Sequence, residues 1–219
     1  MAGTLLVFAS RQEFSFFFKN ISVVVASSTP ALIEPSVDAA VAGVGVVDFS
    51  ANLARFFAQK KYEKAFLLGI CGAYPNSGLQ LGDVVRVDSE VIADMGAQSR
   101  EGHFIPWGTL VSKETRYKGA SPRDLPLCLA KIPETAGGTV NCCTGTQYLG
   151  TRRESTFQTQ VESMEGAAFF AVCKAFGVSG YQFRAVSNMA SDRDESAWKV
   201  ADALAALKTQ VLDQLLDCR

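Results

Sequence analysis

Short apolar runs, each closed by glycine, proline, asparagine or aspartate, alternate along this chain with segments of helical periodicity. The runs are rich in Val, Ile and Phe, as is typical of buried strands. They cover residues 5–9, 21–26, 39–44, 65–70, 84–87, 139–142 and 181–186. Strands that alternate with helices predict an α/β sandwich, with helices on both faces of a mostly parallel or mixed sheet.

Three segments, 47–62, 164–176 and 197–218, carry the helical pattern. In the last of them the apolar residues recur at steps of three or four, so they form one stripe that is expected to pack as core. No linker rich in Pro, Ser or Gly divides the 219 residues. The sequence therefore predicts a single domain over residues 1–219.

Charge is balanced and dispersed: 21 basic and 22 acidic residues give a net charge of -1. Nucleic-acid binding usually needs clustered Lys and Arg, which are missing here, so a small-molecule partner is expected. The first residues lack the basic start of a signal peptide, and no apolar run reaches the ~18 residues of a membrane span. We therefore expect a cytoplasmic protein that does not contact membranes.

Metal and cofactor motifs are missing from the sequence. The six cysteines include no Cys-x-x-Cys pair and the single histidine is His103, so a zinc site is not indicated and the cysteines are expected to be buried thiols. Gly43-x-Gly45 follows a strand, but Asp48 stands where a dinucleotide fingerprint has its third glycine, which favours a plain tight turn. No P-loop motif occurs. Carboxylates and amides are thus expected to carry the chemistry, without a metal or cofactor.

In α/β folds, ligands bind beyond the carboxyl ends of the strands, so the residues that follow each strand are candidates for a site. Six such segments contain polar groups or glycines: 11–13, 43–45, 69–73, 144–148, 162–166 and 187–188. Glu165 has two possible interpretations. Its carboxylate either complements the dipole of the helix that follows, or accepts two hydrogen bonds from a vicinal diol such as that of a ribose.

Four segments together resemble a known family. They are Gly-Ile-Cys-Gly-Ala at 69–73, Gly-Asp-Val-Val at 82–85, Val-Glu-Ser-Met-Glu-Gly-Ala-Ala at 161–168 and Arg-Ala-Val-Ser-Asn at 184–188. In this order they are similar to the purine nucleoside phosphorylase and nucleosidase superfamily, along nearly the whole chain. Ala-Asp-Met-Gly at 93–96, Phe-Ile-Pro at 104–106, and the downstream Arg193 and Trp198 resemble the futalosine hydrolases of the alternative menaquinone pathway, within the hydrolytic branch that includes methylthioadenosine/S-adenosylhomocysteine nucleosidase.

The resemblance implies a three-layer α/β/α sandwich around a mixed, partly closed sheet, assembled as a homodimer. It implies an N-glycosyl hydrolase that uses water as co-substrate and releases hypoxanthine and dehypoxanthine futalosine from futalosine. It also implies a role for individual residues. Glu13 would activate water, Met164 and Glu165 would bind the ribose, Tyr148 would stack on the base and Asn188 would meet the departing purine; Ile70, Gly72 and Ser187 are further substrate-binding candidates.

Asn188 departs from the pattern of the adenine-specific nucleosidases, which carry aspartate there. An amide can donate to the oxygen of a 6-oxopurine and accept from its N7–H, whereas a 6-aminopurine presents a second donor. Asn188 therefore favours hypoxanthine as the leaving group. The alternatives are a methylthioadenosine/S-adenosylhomocysteine or aminodeoxyfutalosine nucleosidase that releases adenine, and a catalytically silent nucleoside-binding protein.

Two further expectations concern the 5′-end of the substrate and the nucleophile. Phe104 and Trp107 are expected to form an apolar lid over the 5′-end, reaching across from the partner subunit as in related dimers; the alternative is a surface loop packed on its own subunit. A phosphorylase would need a cationic clamp for phosphate, and no arginine is expected near Gly43 or Gly69. Hydrolysis is therefore favoured over phosphorolysis.

Overall fold

The computed structural model describes residues 3–19, 21, 29–112 and 115–217. Its strands are β1 Gly3–Phe8, β2 Ala31–Glu34, β3 Val37–Val41, β4 Tyr62–Ala73, β5 Val84–Ile92, β6 Gly96–Gln98, β7 Phe104–Pro106, β8 Tyr117–Lys118, β9 Glu134–Thr139, β10 Val161–Ser163 and β11 Ser179–Met189. Its α-helices are α1 Arg11–Phe17, α2 Val46–Gln59, α3 Trp107–Val111, α4 Leu127–Ala130, α5 Gln147–Phe157, α6 Gly166–Phe176, α7 Val200–Leu207 and α8 Asp213–Asp217. A π-helical segment, Lys208–Leu212, joins α7 to α8.

The main sheet is mixed and partly closed. Its strands lie in the order β10-β9-β5-β11-β4-β1-β3-β2, with β8 paired to β5. Strand β10 pairs with β9 in parallel and with β4 in antiparallel orientation, so the strands from β10 to β4 close on themselves. Strands β6 and β7 form a separate antiparallel pair. The predicted mixed, partly closed sheet is confirmed.

Two apolar cores lie on opposite faces of this sheet. In β1, Leu6 and Phe8 pack into a core with α1 and α7, whereas Leu5 and Val7 pack into a second core with α2 and α6. This division follows from the two-residue side-chain period of a strand. The three-layer α/β/α arrangement predicted for the chain is therefore confirmed.

Several predicted boundaries were wrong. The run 139–142 is strand only at Thr139, because the amides of Asn141 and Cys142 turn to the carboxylate of Asp94, with N–O distances of 2.5 and 3.1 Å. The run 39–44 ends at Val41, since Gly43 has a φ of 105° and cannot continue a strand. The run 21–26 lies outside the described residues except for Ile21.

No helix among the described residues is both long and apolar enough to span a membrane.

Candidate active site

A cavity of about 320 Å³ lies where β4 and β11 approach their carboxyl ends. Its size is within the usual range for small-molecule sites. Seven of the residues predicted for a site line it: Glu13, Ile70, Gly72, Met164, Glu165, Ser187 and Asn188. The fold thus brings together side chains that are far apart in sequence.

Glu13 is placed in this cavity by the start of α1. Ser10 caps the helix: its hydroxyl accepts from the Glu13 amide, and the Glu13 carboxylate accepts from the Ser10 amide at 3.0 Å. The other carboxylate oxygen accepts from the Ile70 amide of β4 at 3.1 Å. The Ser-x-x-Glu spacing is a capping box, so the sequence alone could have predicted this helix start. Glu13 is only 5% exposed, and these bonds fix its orientation.

Gly69 makes room for the polar groups on the floor of the cavity. A Cβ atom at this position would collide with the carboxylate of Glu13 and with Nη1 of Arg184. Glu13 and Arg184 therefore both pack directly against the backbone of β4. The glycine is needed for this close approach, and any larger residue would displace one or both side chains.

Glu165 and Arg184 form a buried ion pair beside Glu13. The Arg184 Nη2 atom lies 3.2 Å from Oε2 of Glu165, and the two side chains are 1% and 5% exposed. The amide of Gly45 donates to Oε1 of Glu165 at 3.2 Å. Burial raises the pKa of Glu165; Arg184 opposes this shift and the nearby Glu13 adds to it. Two carboxylates and one guanidinium thus meet at one end of the cavity.

Ser187 and Asn188 reach the cavity through an irregularity in β11. The pairing with β4 shifts register between Val186 and Asn188, which leaves Ser187 as an extra residue. Such bulges redirect side chains, often beside active sites. The Ser187 hydroxyl donates to the Asn188 side-chain oxygen at 2.7 Å, and Nδ2 of Asn188 donates to the carbonyl of Met189 at 3.2 Å.

These neighbours determine which way the Asn188 amide points. A carbonyl only accepts hydrogen bonds, so the Met189 oxygen requires the amide nitrogen on its side and leaves the amide oxygen beside Ser187. Each end of the amide keeps one further hydrogen or lone pair. Asn188 can therefore present one donor and one acceptor to a ligand.

Glu162 and Thr144 also line the cavity and belong to a polar network that the sequence analysis missed. Glu162 accepts from the amide of Thr144 at 2.7 Å and pairs with Arg153 at 3.2 Å. Tyr74 also donates to this carboxylate. Glu162, Thr144 and Arg153 are all less than 10% exposed. The network anchors the loop between β9 and α5 at the edge of the cavity.

Three predicted site residues lie elsewhere in the described chain. Tyr148 is 72% exposed on α5 and accepts a hydrogen bond from Arg152. Phe104 packs against Phe157, with ring centroids 6.3 Å apart, and shares a neighbouring hollow with Tyr148. Trp107 lines another hollow, of about 670 Å³. The chain by itself does not bring these aromatic residues to the cavity, so their roles stay predictions.

Arg184 corrects one expectation. No arginine was expected near Gly69, but β11 carries Arg184 against this glycine. The absence of a nearby cation is therefore not a valid reason to exclude phosphate, although Arg184 is already bound to Glu165 and to the carbonyl of Ile70. A signal was available, because an arginine within the apolar run 181–186 requires a buried acidic partner.

No cluster of three or more His, Cys, Asp or Glu side chains within the described ranges is arranged to hold a metal ion.

Comparison with known proteins identifies the family to which the chain belongs. The family model described as the phosphorylase superfamily matches residues 7–216. A futalosine hydrolase of Thermus thermophilus is 38% identical over 176 residues, which cover 77% of this chain and 76% of that protein.

Two solved structures from Helicobacter pylori share the fold. A 5′-methylthioadenosine/S-adenosylhomocysteine nucleosidase has a TM-score of 0.73 at 17% identity, covering 97% of this chain and 98% of its own. A futalosine hydrolase has a TM-score of 0.72 at 16% identity, with the same coverage of both chains. Because the fold matches both proteins equally well, it does not distinguish between their substrates.

Proposed function

This chain belongs to the phosphorylase superfamily, and from that premise we propose that it hydrolyses the N-glycosidic bond of futalosine, releasing hypoxanthine. The observation that carries the proposal is the presence of Glu13, Glu165 and Asn188 in one cavity of about 320 Å³. The 38% identity to a futalosine hydrolase supports the choice of substrate.

Cleavage of a ribose–purine bond passes through a state in which the sugar is cationic and the base anionic, as in other glycoside hydrolysis. Glu13 would accept a proton from the attacking water. Its carboxylate is held by the amides of Ser10 and Ile70, so little reorganisation is needed as the reaction proceeds. A negative charge at this position also stabilises the cationic sugar.

Glu165 would bind the ribose diol. Its oxygens already accept from Gly45 and Arg184, and each keeps a lone pair for a sugar hydroxyl. Arg184 binds Glu165 and also balances the charge of two carboxylates, Glu13 and Glu165, that lie close together. Arg184 opposes the rise in the pKa of Glu165 that burial and the nearby Glu13 cause.

Asn188 would bind the purine. Its free N–H suits the oxygen at position 6 of hypoxanthine, and its oxygen suits the proton gained at N7. With an adenine, the N–H would face an amino group instead, and each mismatched buried polar group costs about 1–3 kcal/mol. The amide orientation imposed by Met189 supports this preference.

The test is an assay with futalosine, its 6-amino analogue, methylthioadenosine and inosine, each with and without phosphate, in which the released base is identified. We expect hypoxanthine from futalosine at a rate that does not depend on phosphate. Release of adenine in preference would favour the sister nucleosidase, and a need for phosphate would show a phosphorylase. Binding without turnover would show a silent nucleoside-binding protein.

The proposal includes a homodimer, a cytoplasmic location and a place in menaquinone biosynthesis. Sedimentation of the purified protein tests the first, and fractionation of cells tests the second. Loss of menaquinone on deletion of the gene tests the third.

A further inference from the structure

Glu90 of β5 is a fully buried acid outside the cavity, with no role in the proposed reaction. It lies between β9, β11 and the first turn of α6. A Cβ atom at Gly137 or at Gly166 would collide with its carboxylate. Two elements thus carry glycine where they pass this side chain, so the surrounding structure is built to accommodate it.

Its hydrogen bonds connect the carboxylate to α6. Gln182 donates to one oxygen at 2.7 Å, and the hydroxyl of Thr139 donates to the other at 3.0 Å. The same hydroxyl oxygen accepts from the amide of Ala167 at 2.7 Å. Amides in the first turn of a helix have no partner within the helix, and Thr139 supplies one for Ala167.

The helix held in this way begins directly after Glu165, the residue proposed to bind the ribose. Glu165 is the N-cap residue of α6, and its own side chain makes no capping bond. Its carboxylate reaches Gly45 and Arg184 from the backbone position at which α6 begins, so the anchoring of the first turn helps to place it. Thr139 bonds to Ala167, two residues beyond Glu165, and Glu90 determines where the Thr139 hydroxyl points.

We propose that Glu90 is a positioning residue that anchors the first turn of α6 through Thr139 and thereby places Glu165 for binding of the ribose diol. The inference rests on the proposed function in one respect, namely that Glu165 binds a ribose. The anchoring of α6 can be measured without any substrate.

Glu90 is itself titratable, so the anchor is sensitive to pH, and several charged or titratable groups surround it. Arg184 and Gln182 face it from β11, Glu165 from the start of α6, and Cys71 and Tyr74 from β4 and the residue that follows it. Burial raises the pKa of Glu90 from 4.5 to about 7, and Gln182, Arg184 and Thr139 oppose the shift. An ionised Glu90 can only accept, so it holds the Thr139 hydroxyl as a donor with its oxygen toward Ala167, whereas a protonated Glu90 can itself donate to that oxygen and removes this constraint.

The sign of the pH effect follows. Folded protein retains a proton on Glu90 between pH 4.5 and about 7, where the unfolded chain has lost it, so the contribution of Glu90 to stability falls as pH rises through this range. Ribose binding should change in the opposite sense, with KM decreasing as Glu90 ionises. Glu90→Gln cannot titrate and should lose both dependences.

The experiment uses Glu90→Gln and Thr139→Val, with Thr159→Val as the matched control. Thr159 is also a fully buried threonine, but its hydroxyl has no hydrogen-bond partner among the described residues. We expect Glu90→Gln and Thr139→Val to raise KM for the ribonucleoside by roughly 3–10-fold and kcat to change less than about twofold, as loss of one buried hydrogen bond predicts. Discrimination against the 2′-deoxy analogue should fall, and Thr139→Ser should restore it.

Hydrogen–deuterium exchange over residues 165–170 supplies the measurement that needs no substrate. Exchange should be faster in Glu90→Gln and Thr139→Val than in the wild type and in Thr159→Val. Unchanged exchange, or KM values equal to that of the control variant, would overturn the inference. If the wild type failed to cleave futalosine while exchange changed as expected, the proposed function would fail and the anchor would stand.

Discussion

The ribose wall, formed by Glu13, Glu165 and Arg184, differs sharply from the outer aromatics, Phe104, Trp107 and Tyr148. Side chains of the wall are at most 5% exposed and bind to backbone or to one another. Of the outer aromatics, Trp107 is 39% and Tyr148 72% exposed, and all three lie outside the cavity. The chain therefore buries and fixes the groups proposed to surround the scissile bond, whereas the outer aromatics lie away from the cavity.

Replacement of Glu13 should lower turnover more than any other substitution in the ribose wall. Glu13→Gln keeps the shape of the side chain but removes the base, so turnover of futalosine should fall about 10²–10⁴-fold with a smaller change in KM. The exposed Glu63, changed to Gln, is the control. Steady-state kinetics of both variants make the comparison, and an intact rate in Glu13→Gln would remove Glu13 as the base.

Substitutions of Asn188 test how the site recognises the purine. Asn188→Ala should lower turnover about 10²–10³-fold, comparable to the loss of one preorganised transition-state hydrogen bond. Asn188→Asp exchanges a donor for an acceptor and should shift the preference from futalosine toward its 6-amino analogue. The ratio of kcat/KM for the two substrates is measured in each variant. An unchanged ratio in Asn188→Asp would show that the side chain only orients its own loop.

Gly69→Ala tests whether close packing against β4 positions the wall. The added methyl would displace Glu13 and Arg184 together, so kcat/KM should fall about 10²-fold, as expected for misplacement of catalytic groups. Gly145→Ala is the control, because a Cβ atom there meets nothing within 4 Å. Thermal unfolding of both variants separates a local displacement from loss of the fold. A fully active Gly69→Ala would mean that the wall tolerates movement.

The smallest effect is expected at the outer aromatics. Trp107→Ala should raise KM for futalosine by about 3–10-fold and leave that for inosine nearly unchanged, since only futalosine carries a large 5′-substituent. Tyr148→Ala should affect both nucleosides alike if the ring stacks on the base. Equal effects of Trp107→Ala on the two substrates would reject a lid, and Trp107 would then have no specific role at the 5′-end.

Sequence analysis predicted the strands and helices that have strong periodicity, but not the elements that tertiary contacts stabilise. Strand β10 is three residues long and exists because it pairs with both β9 and β4. Helix α5 lacks a clear apolar stripe and was not predicted. Helix α1 was also missed, although Ser10 and Glu13 carried its capping signal. Short or weakly patterned segments obtain their structure from their neighbours.

The sequence by itself determined the α/β architecture, because periodic apolar patterns report on backbone and burial. Through motifs that resemble a family, it also indicated the superfamily and seven of the residues that line the cavity. Only the tertiary structure placed Arg184 against Gly69, redirected Asn188 through a bulge in β11 and buried Glu90 beneath α6. The physical reason is that these arrangements depend on strand pairing and on space left by glycines on other strands. No local pattern contains that information, since both partners of each contact lie far apart along the chain.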